Sequence, residues 1–268
     1  MQTILLLSAA LLYGVCTVLP AARRQAISGV TGLAWLAHGA ALWAGIGSTD
    51  IPRFGFAVMI SAALWVSVAA YWIENRNLAL DGLRRLVMPS AAIAAVLPLV
   101  FPGEVLEMQG KTAAYGWHIV VAVLAYSTLT IAAFHAVLMA FQETRLHTRG
   151  AQAGGWLSGA IDQLPALLTM EKLLFRLIAI GFVLLSLTLL SGVVFSEQLF
   201  GRATRWDHKT IFAVLSWLLF GALLTGRQWR GWRGKTALRF TLAGFATLVL
   251  AYVGSRFVFE VILHRAFA

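Results

Sequence analysis

Nearly all the side chains in this sequence that could carry out chemistry are six histidines and one short polar loop. The loop separates the apolar run around Leu189-Leu190-Ser191-Gly192 from the run that ends near Phe220, and it closes on Trp206-Asp207-His208-Lys209. An imidazole in such a setting, His208 here, can ligate a metal or a haem iron through one ring nitrogen. Asp207 is also a good helix N-cap, its carboxylate accepting from the free amides of the next turn. Trp206 is then an interfacial anchor. Capping and a functional role are compatible.

His118 follows Tyr115-Gly116-Trp117 and opens an apolar run. At a helix start its imidazole can hold a metal or haem just above a bilayer, or it can simply anchor the interface beside Trp117. His264, in VILHRAFA, is either a ligand or a partner for helix-end carbonyls. Arg256 lies eight residues before it, near the same helix face. A guanidinium there suits a carboxylate such as a haem propionate, or it snorkels to headgroups. His38 and His135 fall inside apolar runs, where an interhelical hydrogen bond competes with a functional role. His147 reads as a solvated loop residue, and the pairs Trp35/Trp43 and Trp229/Trp232 as membrane anchors and packing.

Several chemistries are disfavoured. Cys16 is the one cysteine, so an intramolecular disulfide, a CxxC pair and a CxxCH attachment site are excluded. There is no GxSxG, Walker A or HExxH sequence. No carboxylate falls mid-span, Glu74 and Glu260 standing at helix ends, which weakens an ion-coupled permease reading.

The elements that must position these groups are membrane helices. The chain is 60% hydrophobic and 12% charged, with mean hydropathy +0.80, whereas soluble domains carry roughly a quarter charged residues. Spans of about 20 apolar residues are expected at about 2–20, 26–47, 54–73, 86–101, 118–141, 172–195, 209–226 and 238–262. The fold class is an all-α, polytopic transmembrane bundle of about eight helices, one integral membrane domain over 1–268. The first run reads as a retained helix, since no cation precedes it and Arg23-Arg24 follow.

The net charge of +10 is then an orienting signal and a headgroup anchor, with no call for nucleic acid. Basic connections at Arg23-Arg24, Arg76/Arg84/Arg85, Arg145/Arg149 and Arg227 to Lys235 are expected in the cytoplasm. The fourth run, despite Pro89 and Pro98, must therefore span, and both termini face outward with His118, His208 and His264. Within the connection before helix six, LPALLTMEKLLFR is expected either to lie along the membrane surface or to be a plain linker.

Several stretches resemble one family. GWHIVVAVLAYSTLTIAAF is similar to the helix that opens the core of CcsA/HemX-type cytochrome c assembly proteins, and FRLIAIGFVLLSLTLLSGVVF to their next helix. Trp206-Asp207-His208-Lys209 resembles the end of their tryptophan-rich external motif, and RGWRGKTALRF through His264 their last segment. The resemblance covers about 105–264, the expected assembly core, and is nearest to the small YpjD-like inner-membrane branch.

It implies an integral bacterial inner-membrane protein that binds or presents haem, of the haem b type, on its outer face. His118 and His264 would be the axial pair, Trp206 and Asp207 the pocket wall, and His208 and Arg256 further contacts. Such a protein would work with the lipid bilayer, haem and another membrane protein or cytochrome assembly component, catalysing no bond change itself. The segment SEQLFGRATR lacks the motif's other tryptophans, and His208 stands at its proline. That departure keeps open a second reading: a non-haem membrane scaffold or regulatory partner that retains the fold.

Overall fold

The structure, a computed structural model, describes residues 1–46, 53–77, 80–105, 113–147, 164–200, 208–254 and 257. Among these, eight α-helices form: α1 Gln2–Val18, α2 Arg24–Ile46, α3 Phe56–Asn77, α4 Asp81–Val100, α5 Ala113–His147, α6 Leu167–Phe200, α7 His208–Arg230 and α8 Gly234–Val249. A wider π turn, Leu250–Gly254, follows α8. The only sheet among the described residues pairs β1 Arg53–Phe54 with β2 Glu104–Val105, antiparallel. By length and composition α3 to α7, and α8 together with its π turn, each suffice to cross a bilayer. α1 is apolar but has 17 residues, and α2, not among the six, opens with Arg24-Gln25 and carries His38.

The chain divides into two compact units, Met1–Glu107 with Val137–Met170, and Met108–Ala136 with Glu171–Ala268. In the first unit α1 packs on α2 and α4, and α3 on α2 and α4. Ala9, Ala34, Ala41, Ala57, Ala91 and Ala94 are buried there, small side chains that let helix backbones approach in the absence of a hydrophobic drive between helices. Leu7, Leu11, Leu33, Leu36 and Ile93 face outward, as lipid-exposed positions do.

α4 runs unbroken through Pro89 and Pro98. The spanning helix expected from loop charge thus forms. Trp35 packs on Trp65: the indoles stack at 4.8 Å and 9°. Each Nε1 donates to the other's backbone carbonyl, at 3.1 and 2.9 Å, clasping α2 to α3. Trp43 is exposed, in keeping with an anchor.

Arg84, expected in a basic loop, is instead inside α4 and 1% exposed. Its Nε donates to Asp81 Oδ1 at 2.7 Å, one turn earlier, and its Nη1 to the Cys16 carbonyl. A buried guanidinium persists only when so partnered.

In the second unit α5 and α6 run antiparallel, with Leu129 seated where a side chain on Gly181 would stand, and His118 beside Ser191. From those contacts the helices advance about 16 and 15 Å respectively at 1.5 Å per residue, so the register agrees. α7 lies along α6 through Trp217 Nε1 donating to Ser186 Oγ at 2.8 Å, with Phe182 stacked on the indole at 5.4 Å. α8 returns along α7: Ser216 Oγ donates to Gly244 O at 2.8 Å, and Phe220 fills the space left by Gly244. Tyr126 Oη donates to Leu248 O at 2.6 Å, tying α5 to the end of α8.

The turn between α7 and α8 is RGWRG. Gly231 at φ 65° donates to Arg227 O at 3.1 Å, a left-handed helix cap that glycine adopts without steric cost. Trp232 folds back over Gly226, where no side chain would fit, and meets Phe240 at 4.9 Å. Trp229 beside it points outward.

α6 corrects the expectation for LPALLTMEKLLFR. From Leu167 the segment is neither a surface helix nor a linker but the first turns of one 34-residue helix. The cause is Glu171, 5% exposed, whose Oε1 accepts from Arg233 Nε at 2.7 Å and Arg227 Nη1 at 3.5 Å. That acid holds the start of α6 against the RGWRG turn.

Candidate functional site

Each candidate ligand depends on where its helix begins. α5 begins at Ala113, so His118 does not open the helix, as expected, but stands in its second turn. Alanine, the best helix former, fills its first two positions and lets the helix start early. The His118 ring is half-buried against α6. Its Nδ1 is 2.7 Å from Ser191 Oγ. A β-carbon on Gly192 would lie 3.7 Å from His118 Cε1, so the imidazole rests on the step made by Ser191 and Gly192. Tyr115 stacks nearby, centroid to centroid 6.4 Å. Trp117 points outward, the placement of an interfacial anchor.

Ser191 was not singled out by sequence reasoning, although it stands in the LLSG step. Its hydroxyl also reaches back along α6 to Leu187 O at 2.7 Å and Thr188 O at 3.1 Å. A serine inside a helix commonly donates to the carbonyl one turn earlier; nothing in the sequence shows that its other side meets a histidine 73 positions away.

His208 is the first residue of α7 and is exposed. Trp217 and Ser186 share a level in the unit. From there His208 is about 13 Å toward the chain's start of α7, and Ser191 about 7 Å toward the end of α6, at 1.5 Å per residue. His118, Ser191 and His208 therefore occupy one end of the second unit, with His208 about one turn farther out. Glu171, Arg227 and Arg233 mark the opposite end. Trp206, Asp207, Arg256 and His264 lie outside the described residues, as do Arg202 and Arg205.

The other histidines are placed by hydrogen bonds. His38 is fully buried, its Nε2 2.8 Å from Ser61 Oγ and its Nδ1 3.4 Å from Tyr13 Oη, linking α1, α2 and α3. His135 is buried with Nδ1 2.9 Å from Ile131 O of its own helix. Among the described residues no three His, Cys, Asp or Glu side chains gather as a metal centre. What the described site offers is one oriented imidazole, with a second at the same end of the bundle.

The family model described as Cytochrome C assembly protein matches residues 32–263, which carries the likeness upstream of the expected core at 105–264. Inner membrane protein YpjD of Escherichia coli (strain K12) is 30% identical over 177 residues, 66% of this chain and 64% of that protein. Cytochrome c biogenesis protein CcsA of Prochlorococcus marinus (strain MIT 9515) is 30% identical over 154 residues, 53% of this chain and 49% of the relative. The protein of that name from strain NATL1A is 36% identical over 85 residues, 32% of this chain and 27% of its own. The chain thus spans between about a quarter and just under two thirds of the length of these relatives. No solved structure matches it. With six bilayer-length helices among its described residues and a family match over most of its length, this chain belongs to the cytochrome c assembly protein family as a multi-pass inner-membrane protein.

Proposed function

We propose that the chain binds or presents haem at the outer, periplasmic face of the inner membrane, with His118 and His264 as axial ligands. Membership of a cytochrome c assembly family implies haem handling, and the observation that carries the reading is the setting of His118. A ligating histidine generally has its second ring nitrogen held by a hydrogen-bonding partner. His118 meets this requirement through Ser191, and Gly192 leaves its ring edge uncrowded.

The donor set fits the group. Two imidazoles suit haem iron; in this reading Trp206 and Asp207 would form a wall, His208 a further contact, and Arg202, Arg205 and Arg256 would offer cations to propionates. Haem held there would supply an iron centre, and His118 and His264 would be the residues that hold it. The chain's own residues orient the ring, exclude water and balance carboxylate charge. No residue is assigned a bond-making or bond-breaking step. The outer placement, with both termini on that side, rests on the basic connections of the other side.

The test is a visible spectrum of the protein purified in mild detergent, before and after added haem. A Soret band is expected, and it should be lost in a His118→Ala, His264→Ala double variant. No band in the wild type, or an undiminished band in the double variant, refutes the reading. One sequence observation favours a second reading, a membrane scaffold or regulatory partner: only Trp206 and Asp207 of the tryptophan-rich motif are matched. Crosslinking of a stoichiometric partner to a haem-free protein would decide for it.

A further inference from the structure

The hydrogen bonds around Ser191 contain more information than the contact alone. Ser191 Oγ has one proton and three oxygen or nitrogen neighbours: Leu187 O at 2.7 Å, Thr188 O at 3.1 Å and His118 Nδ1 at 2.7 Å. Two of these are carbonyl oxygens, which only accept. Two oxygens 2.7 Å apart with no proton between them repel, so the serine proton lies on the Leu187 side, shared with Thr188. Facing His118, the hydroxyl then presents a lone pair, and a 2.7 Å contact there requires a proton on Nδ1.

We propose that Ser191 is a positioning residue for His118, fixing its neutral ring as the Nδ1–H tautomer and reserving Nε2 as the lone-pair nitrogen. The assignment follows from the network around the ring, as histidine tautomers are assigned generally. The device is asymmetric by construction: the serine is anchored to its own helix, so it can accept from the imidazole but not donate to it. Gly192, next in α6, puts no side chain of its own against the ring edge between the two nitrogens. For haem, the consequence rests on the reading above: a ring fixed in this tautomer offers Nε2 to iron without a prior proton shift. The serine itself touches no ligand.

The experiment separates the tautomer from the haem site. Nitrogen-15 spectra of histidine-labelled, haem-free protein in mild detergent report which ring nitrogen carries the proton, with the His118 signals assigned by their loss in His118→Ala. The wild type is expected to show a protonated Nδ1. Ser191→Ala should move His118 toward the Nε2–H form, and Ser191→Thr, which keeps the hydroxyl, should restore the Nδ1–H form. A wild-type His118 protonated on Nε2, or a tautomer unchanged in Ser191→Ala, overturns the proposal.

In haem titrations Ser191→Ala should weaken binding by about 10-fold or more, the usual effect of losing a group that orients a metal ligand, with recovery in Ser191→Thr. A wild type that takes up no haem yet shows the Nδ1–H tautomer refutes the haem site and sustains the role of Ser191. Ser191→Ala haem affinity equal to wild type, with the tautomer changed, overturns the link from tautomer to haem.

Discussion

Glu171 offers the cleanest quantitative test of how the second unit is held together. Its side chain is 7% exposed and its Oε1 takes two guanidiniums, Arg233 at 2.7 Å and Arg227 at 3.5 Å. A hydrogen bond to a charged group contributes about 1.5–3 kcal/mol. The Arg233 side chain is 55% exposed, so solvent screening puts its bond near the bottom of that range, about 1.5 kcal/mol. The longer Arg227 contact adds about 0.5 kcal/mol. Glu171→Gln keeps the size and one acceptor but removes the charge, and should cost about 2 kcal/mol, close to a 30-fold shift in the folding equilibrium.

The assay is unfolding in mixed micelles of mild and denaturing detergent, run as double-variant cycles. Glu171→Gln with Arg233→Gln should show coupling of about 1–2 kcal/mol that shrinks in high salt, where the screening length falls to about 3 Å. With Arg227→Gln the coupling should be smaller. That guanidinium also sits 3.6 Å over the Phe175 ring, a contact the carboxylate does not control. Coupling indistinguishable from zero for Glu171 and Arg233 would refute the reasoning and make the pair an incidental contact.

Substitutions at two glycines probe close packing. Gly192→Ala should be tolerated and slightly stabilising, since its new β-carbon meets His118 Cε1 at an ordinary 3.7 Å and alanine gains about 1 kcal/mol of helix propensity; Gly192→Leu should push the imidazole off Ser191 and lower haem retention, read from melting and visible spectra. Gly39→Ala would place a β-carbon 2.9 Å from Trp65 ring atoms held in the clasp with Trp35, and should cost about 1–3 kcal/mol in the same unfolding assay.

What the sequence made legible was hydrocarbon. The eight helices among the described residues follow from eight apolar runs, and α4 is legible through its two prolines because the basic segments on either side must lie together. What stayed hidden was charge that does not behave as loop. Arg84 and Glu171 both flank apolar runs, and a hydropathy reading ends the helix at such residues. In the fold each is buried because a partner neutralises it, Asp81 for one and Arg227 with Arg233 for the other.

At the site, sequence marked His118 as a helix-end imidazole and His208 as the start of α7, and the second came out as expected. It could not supply Ser191 as the neighbour of His118, because that contact exists only once α5 and α6 lie antiparallel in register. The tryptophans show the same limit. Trp35 and Trp43 read as packing and anchor, and sequence does not name Trp65 as the indole Trp35 meets, since stacking is decided by which helix packs opposite.

The two buried charges differ in how far apart their partners lie along the polypeptide, and this sets an order of events during synthesis. Asp81 and Arg84 are one turn apart in a single helix, and the Cys16 carbonyl has already left the ribosome. α4 can therefore enter the lipid with the Arg84 charge already paired, which lowers the cost an unpaired arginine adds to insertion. Glu171 must wait for residues made 56 and 62 positions later. Until α7 and the turn after it emerge, that carboxylate has neither guanidinium to meet, so its buried seat can form only once Arg227 and Arg233 are made.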